Sequence, residues 1–306
     1  MARRRLPIPP FSGLPGVAQP NDLMRILIIG SSGLLGSDLV EDWTGDAITP
    51  ANSEDADISK PDEVRRLVAR ERPDWIILTA GYTDVDGSER DPDLAFAVNR
   101  DGARNVSIAA KEFGAKLCYL STDYVFDGRA NRPYEPEDPA HPLNVYGASK
   151  AAGEKAVQER AGHALIARTS WLFGASKASF PEKILLSADS LPELKVVADQ
   201  IGSPTYTRDL ARAIRELVRT GAHGILNITN SGSCSWFEFA KETLRQAGRN
   251  TPVYPITSAE AGRPARRPAY SVLSPGPLAL SGVTMRSWQE ALAAYLVELK
   301  LRRKLH

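Results

Sequence analysis

The stretch that most restricts the fold of this chain is an apolar run that ends in closely spaced glycines. Ile26-Leu27-Ile28-Ile29 is hydrophobic without alternation, the pattern of a parallel strand buried on both faces. Gly30-Ser31-Ser32-Gly33-Leu34-Leu35-Gly36 follows without a break. The spacing is G-x-x-G-x-x-G rather than the G-x-G-x-x-G of the commonest dinucleotide turn. The mechanics are alike. Gly30 permits the tight turn, Gly33 lets a pyrophosphate approach the backbone, and Gly36 lets the new helix pack closely. An anionic phosphate then faces the helix N-terminus. A turn that binds nothing is the alternative.

A parallel strand needs parallel neighbours, joined by crossover segments that cover the sheet. Apolar runs predict them at residues 47–49, 74–79, 116–121 and 165–168, with a short third strand ending near Asp57-Ile58. Helical patterns lie between, at residues 61–72, 91–114 (which carries Asn99) and 144–160. This alternation predicts an α/β fold, a doubly wound parallel (Rossmann-type) sheet, with a smaller C-terminal substrate lobe. Past Gly174 the alternation loosens, with further helices at 208–220, 235–247 and 286–300 and a strand at 224–229. We divide the chain into a disordered leader (1–23), a mainly dinucleotide-binding domain (24–173) and a mainly substrate-binding lobe (174–306), some of whose elements return to the sheet. The leader is basic and proline-rich without an apolar core, so a secretory signal is not expected. Met24 is the more natural beginning.

The chemistry-bearing residues fall at the ends of the predicted strands. In a helix beginning after Asn144, Tyr146 and Lys150 are i and i+4 and share one face. A ketone reductase needs an acid that protonates the oxygen as hydride reaches the carbon. A phenol of ordinary pKa about 10 serves this poorly at neutral pH, and an adjacent ammonium favours the phenolate. Lys150 is spaced to do this and to reach a cofactor ribose. Thr122, delivered by the strand at 116–121, can orient the carbonyl from the other side. An exposed Tyr beside a surface Lys is the bland alternative for the pair alone. Ala80-Gly81-Tyr82-Thr83 offers small residues at a strand end that could admit a cofactor. Trp171, just after the strand at 165–168, is either a wall for a sugar or base or a core residue. Arg263-Pro264-Ala265-Arg266-Arg267-Pro268 is a basic, proline-stiffened loop suited to a diphosphate, or merely solvated.

Composition narrows the classes. The formal net charge is +1, with 25% charged and 42% hydrophobic residues among 306. That is ordinary globular composition without the basic excess of a nucleic-acid binder. No apolar run reaches membrane-spanning length. Cys118 and Cys234 form neither a disulfide framework nor a zinc pattern, and the cytoplasm is the expected compartment. The second strand ends Thr49-Pro50-Ala51-Asn52, with neither the acid that favours NAD nor an arginine for NADP. NADPH is expected, with NADH possible.

Several longer segments resemble one family. They are Gly30 to Gly36, Ala80-Gly81-Tyr82-Thr83-Asp84-Val85-Asp86, Ser121-Thr122-Asp123-Tyr124-Val125-Phe126-Asp127-Gly128, Asn144-Val145-Tyr146 through Lys150, and Arg168-Thr169-Ser170-Trp171. Asp199-Gln200-Ile201-Gly202-Ser203-Pro204-Thr205 and Arg267-Pro268-Ala269-Tyr270-Ser271-Val272-Leu273 complete the set. From Met24 nearly to the end, the chain resembles the extended short-chain dehydrogenases/reductases, and within them the dTDP-4-dehydrorhamnose reductases. The resemblance implies NAD(P)H-dependent reduction of the C4 ketone of a dTDP-linked 6-deoxysugar, the last step of dTDP-L-rhamnose synthesis. It implies that Tyr146 donates the proton, Lys150 supports it and binds ribose, and Thr122 orients the carbonyl. Thr122, Asp123 and Trp171 would contact the sugar, and Arg267 the diphosphate. Gly30, Gly33, Leu34, Leu35, Asp57, Ile58, Gly81, Tyr82, Thr83 and Asn99 would form the cofactor set with Tyr146 and Lys150. Leu78-Thr79 replaces the family's common Asn-Ala, Thr49 stands where many relatives carry an acid, and Ser274 replaces a usual Asp. Some members use magnesium at a dimer contact, but no acidic cluster in the sequence argues for a metal. Either a monomer or a homodimer fits. The rival readings are a non-catalytic NADP-binding protein, like the regulatory subunit of methionine adenosyltransferase, and a sugar-nucleotide epimerase or dehydratase.

Overall fold

The computed structural model describes residues 23–304. The leader expected at 1–23 lies, except for Leu23, outside them. The first half runs β1 (Arg25–Ile29), α1 (Leu34–Asp42), β2 (Ala47–Ala51), α2 (Pro61–Glu71), β3 (Trp75–Leu78), α3 (Val85–Arg90), α4 (Pro92–Phe96), α5 (Ala103–Glu112), β4 (Lys116–Thr122), α6 (Val145–Arg160) and β5 (Ala164–Thr169). After it come β6 (Leu172–Phe173), α7 (Phe180–Ser190), β7 (Leu194–Val197), β8 (Ile201–Gly202), β9 (Thr205–Tyr206), α8 (Thr207–Thr220) and β10 (Gly224–Asn227). The chain closes with β11 (Cys234–Ser235), α9 (Trp236–Gln246), β12 (Val253–Ile256), α10 (Ser258–Ala261) and α11 (Trp288–Lys304).

Six strands form one parallel sheet in the order β10-β5-β4-β3-β1-β2. Both faces of β1 are covered, which is why its sequence does not alternate. Ile26 and Ile28 pack with Leu39 of α1 and Leu210, Ile214 and Leu217 of α8. Leu27 and Ile29 pack with Leu67 of α2, Val106 of α5 and Val157 of α6. The apolar residues of α8 recur at helical spacing, so its buried stripe faces the sheet. Residues 174–306 therefore contribute α8 and β10 to the sheet layer. Their remaining elements build a second core, in which Ile184, Leu194, Phe239, Leu292 and Tyr295 gather round Phe173.

Two expectations change. No strand forms at Asp57-Ile58. The Asp57 carboxylate accepts from Ser59 N (3.0 Å) and Ser59 Oγ (2.7 Å), closing a local turn instead. The predicted helix 91–114 is interrupted by a π-helical turn at Ala97–Gly102. There the Asn99 carbonyl accepts from the Tyr119 hydroxyl at 3.3 Å.

The sheet meets its covering helix through a buried ion pair. Arg168 of β5 donates to Glu154 of α6 through Nε (2.9 Å) and Nη2 (2.7 Å), and their side chains are only 4% and 5% exposed. Arg168 Nη1 also donates to the Pro136 carbonyl (2.9 Å), tying down the excursion between β4 and α6. Glu154→Gln keeps the shape but leaves the Arg168 charge buried without a counter-ion. We expect a loss of about 3–5 kcal/mol, read as a lower urea midpoint at unchanged slope.

Candidate active site

At the carboxyl edge of the sheet, chain connections run in opposite directions on the two sides of β1, which pairs with β2 and β3. In open α/β sheets this is where a crevice opens. A cavity of about 710 Å³ lies there, lined among others by Gly30, Gly33, Thr122, Tyr146 and Lys150.

Its floor is the turn after β1. Gly30 has φ +93°, and a Cβ on it would lie 2.5 Å from Ala80 N, so the two strand ends touch through bare backbone. Gly33 is the N-cap of α1 and supplies no side-chain cap. The first N–H groups of that helix thus remain for an anion. Asn52 and Ser53, just beyond β2, line the same cavity. Asn52 Oδ1 accepts from Ser31 Oγ (3.0 Å) and Ser32 N (2.9 Å), fixing the turn from the side. These features suit the pyrophosphate and ribose of a dinucleotide.

The opposite wall is set by how α6 begins. Asn144 caps it, accepting from Gly147 N at 2.7 Å. A Cβ at Gly147 would stand 2.1 Å from the Tyr124 carbonyl oxygen, so only glycine lets the helix sit this close to the turn after β4. The approach sets the Tyr146 phenol beside the Thr122 hydroxyl. One helical turn on, Lys150 Nζ donates to the Leu120 carbonyl (2.5 Å) and lies 4.2 Å from the Tyr119 ring centroid. Burial pushes the Tyr146 phenol up to about 12, with Thr122 acting the other way. Burial pulls Lys150 down to about 7, against the upward pull of Glu154. The expected depression of the phenol by Lys150 is therefore absent from the protein by itself, because burial of the phenol dominates. Tyr146 holds its proton at neutral pH.

Of the sequence-predicted residues, Gly30, Gly33, Leu34, Leu35, Gly81, Thr83, Thr122, Asp123, Tyr146, Lys150 and Trp171 line this cavity. Asp57 and Ile58 do not. Asp57 serves its own turn, and Ile58 is a core residue 7% exposed. Tyr82 and Asn99 support the wall without lining it. Asn99 Oδ1 accepts from Tyr82 N (2.9 Å), and its Nδ2 donates to Tyr82 O (3.0 Å) and Ser149 Oγ (2.9 Å). It is a buried pin between the Gly81 loop and α6. The face of Trp171 is covered by Trp236, with ring centroids 3.6 Å apart and 7° between planes. Trp171 also has φ 47°, the less populated left-handed region.

A second cavity of about 760 Å³ adjoins the first through Val85, Tyr124 and Trp236, which line both. Arg267 lines it, but its guanidinium is already engaged. It donates to both Asp86 oxygens (3.0 and 2.9 Å) and to Ala265 O (2.7 Å), and Asp86 is held below the ordinary carboxylate range by this partner. Arg263 and Arg266 line the same cavity and are exposed. Both belong to the basic loop that the sequence offered for a diphosphate, whereas Asn52, Ser53, Lys177 and Trp236 are among the lining residues that sequence reasoning missed. For Asn52 and Ser53 the available signal was the strand end, placed too early. For Trp236 there was no local signal.

The structure also gathers acids that the sequence scatters. Oxygens of Asp38, Glu41 and Glu298 lie within 4.8 Å of one another. Arg208 bonds Glu41 (2.9 Å) and Glu298 (2.9 Å), and Arg302 bonds the same two (2.7 and 2.9 Å), so cations from the chain itself occupy this cluster.

Comparison with known proteins agrees in fold and sequence. Residues 24–301 match the family described as RmlD substrate binding domain. A dTDP-4-dehydrorhamnose reductase of Streptomyces griseus is 41% identical over 88% of this chain and 91% of its own. The spore coat polysaccharide biosynthesis protein SpsK of Bacillus subtilis is 37% identical over 90% of this chain and 98% of its own. A crystal structure of Bacillus anthracis dTDP-4-dehydrorhamnose reductase in complex with NADP superposes with TM-score 0.89 at 41% identity, covering 90% of this chain and all (100%) of that one.

Gly30→Ala would force an L-residue into a left-handed turn, at roughly 1–2 kcal/mol, with a Cβ driven against Ala80. We expect dinucleotide affinity to fall at least about tenfold. A fluorescence titration with NADPH measures it.

Proposed function

The chain belongs to the dTDP-4-dehydrorhamnose reductase family, and on that premise we propose that it reduces the C4 ketone of dTDP-4-dehydro-L-rhamnose with NADPH, giving dTDP-L-rhamnose for deoxysugar and polysaccharide synthesis. One observation carries the reading. Tyr146, Lys150 and Thr122 line the same cavity as the glycine turn and the uncapped N-terminus of α1. Acid, orienting hydroxyl and anion cradle thus converge on one space.

NADPH would supply the hydride; the N–H groups at the start of α1 and Gly33 would hold its pyrophosphate, and Lys150 would bind its ribose. Neutral Asn52 and Ser53 at the end of β2 favour NADPH, since they present no carboxylate to repel a 2′-phosphate. Thr122 orients the ketone. Tyr146, kept protonated by burial, gives its phenolic proton to the C4 oxygen. The phenolate left behind is favoured by the charged form of Lys150 and regains a proton from solvent. The adjoining cavity takes the rest of the nucleotide sugar. Arg263 and Arg266 meet the diphosphate there, on a loop braced by the Asp86–Arg267 pair. The use of reduced nicotinamide suits a cytoplasmic enzyme.

The test is NADPH oxidation at neutral pH with dTDP-4-dehydro-L-rhamnose, beside NADH and a matched UDP sugar. Rapid oxidation with the dTDP sugar supports the reductase. NADP binding without turnover would sink it in favour of a binding role. Tyr146→Phe should lower kcat by about 10²–10⁴-fold while the NADPH Kd stays the same. Unchanged turnover would remove Tyr146 from the acid role. Asn52→Asp keeps an acceptor for Ser31 and Ser32 but adds charge. We expect KM for NADPH to rise about tenfold, equivalent to roughly 1.4 kcal/mol, with a smaller change for NADH.

A further inference from the structure

Beneath the proposed site lies a carboxylate that no cation partners. Asp123 is 2% exposed, in the 3-10 turn Asp123–Val125 after β4. Its Oδ2 accepts from Ser271 Oγ at 2.5 Å, and its Oδ1 lies 3.1 Å from Thr122 Oγ1. Ser271 is 1% exposed and comes from a distant stretch threaded into the fold. There, Ser271 N donates to Ile201 O (2.8 Å), and Tyr134 N donates to Val272 O (2.8 Å). The titratable groups around Asp123 are the phenols of Tyr124, on its own turn, and of Tyr146, on α6. Lys150 of α6 lines the same cavity, and Arg267 of the C-terminal stretch acts on Tyr124. No described residue forms an ion pair with Asp123. Burial accordingly pushes its carboxyl up to about 7, while Ser271 and Thr122 oppose the rise.

A threonine hydroxyl has one proton to give and two lone pairs to receive. Tyr124 N donates to Thr122 Oγ1 at 3.2 Å and occupies one lone pair. When Asp123 is ionised, the Thr122 proton is drawn to Oδ1 and away from the cavity. When Asp123 is neutral, its own O–H donates to Thr122 and fills the second lone pair. The Thr122 proton then has only the cavity to point into, where Tyr146 and a ketone oxygen would lie.

We propose that the Asp123 proton aims the Thr122 hydroxyl at the reacting carbonyl, and that Ser271 is a further positioning residue acting through Asp123. This rests on the ketone-reductase reading of the site. No proton leaves Asp123 in the cycle; its presence selects the direction of a neighbouring hydrogen bond. The neutral form is the active one, so kcat/KM falls as pH rises through the Asp123 transition. Ser271 donates to the carboxylate and favours its charged form. Losing that bond raises the transition.

The experiment is the pH profile of kcat/KM at saturating NADPH, from about pH 6 to about pH 9. Wild type, Asp123→Asn, Ser271→Ala and Ser271→Thr are compared. We expect a wild-type limb near neutrality that Asp123→Asn removes. Ser271→Ala should move it about one unit higher, and Ser271→Thr should return it. An unchanged limb in Asp123→Asn would assign it to Lys150 and overturn the proposal. So would a limb that ignores Ser271→Ala. A second measurement needs no substrate. In the difference between wild type and Asp123→Asn, where the Asp38 carboxyl that burial raises to about 6 cancels, an infrared carbonyl band of a protonated acid should titrate near neutrality in the protein alone, and it should shift upward in pH in Ser271→Ala. If wild type does not reduce the keto sugar, the functional reading fails while the infrared titration still tests the chain. If Asp123→Asn does not fold, the two Ser271 variants decide it.

Discussion

One face of α6 laid against the end of β4 is the contact on which the site depends. Tyr146, Lys150 and Glu154 follow at four-residue intervals and form one stripe. Tyr146 meets Thr122, Lys150 meets the Leu120 carbonyl, and Glu154 accepts from Ser121 Oγ at 2.5 Å. Three successive residues of β4 thus meet three successive turns of the helix. The far end of the stripe is anchored by Arg168 of β5, whose fork on Glu154 fixes the rotation of α6 about its axis. An ion pair this buried gains little net stability, because desolvation offsets attraction. It gives position instead. A rotation of the helix that moved Tyr146 from Thr122 would also strand two buried charges.

The same economy of contacts governs the cleft between the two cores. Asp86 begins the first turn of α3, just after the Gly81–Thr83 loop that borders the first cavity. It holds Arg267 and accepts from Ala265 N at 3.0 Å. Asn144, the cap of α6, donates to the Arg266 carbonyl at 2.7 Å. The basic loop is therefore stapled to the sheet domain at two points, each close to a site residue. Of the arginines left at the cavity, Arg263 lies 3.7 Å from the Asp86 carboxylate already held by Arg267, and exposed Arg266 adds a second charge on the same loop. Val85, Tyr124 and Trp236 line both cavities, so the two lie side by side, which suits the proposed substrate with its reacting sugar and remote nucleotide.

Much of this was legible in the residues. β1, β3, β4 and β5 announce themselves as unbroken apolar runs, because a parallel sheet covered on both faces leaves no polar side. The glycine turn is legible because only glycine accepts Gly30's backbone angle. Tyr146 and Lys150 are legible because helical spacing alone puts them on one face. Other readings were incomplete where a side chain's partner lies far along the chain. Arg267 looked free for a diphosphate until the fold brought Asp86, 181 residues away, to its guanidinium. Trp171, read as either a wall or a core residue, lines the cavity while Trp236 covers one face of its ring. Asn99 became a pin within the wall, and the acids of α1 met Glu298 of α11 and the arginines that neutralise them.

The sequence by itself determined the apolar strands of the main sheet, the glycine turn and the placing of Tyr146 and Lys150 on one helix face, since each follows from backbone sterics and from periodicities of two or of 3.6 residues. Tertiary structure alone decided which polar groups are spent on one another and which stay available. Ser271 and Asp123 are 148 residues apart, and both are buried where they share a hydrogen bond. No local pattern encodes that pairing. It arises because a buried polar group must find a partner wherever the packed chain offers one.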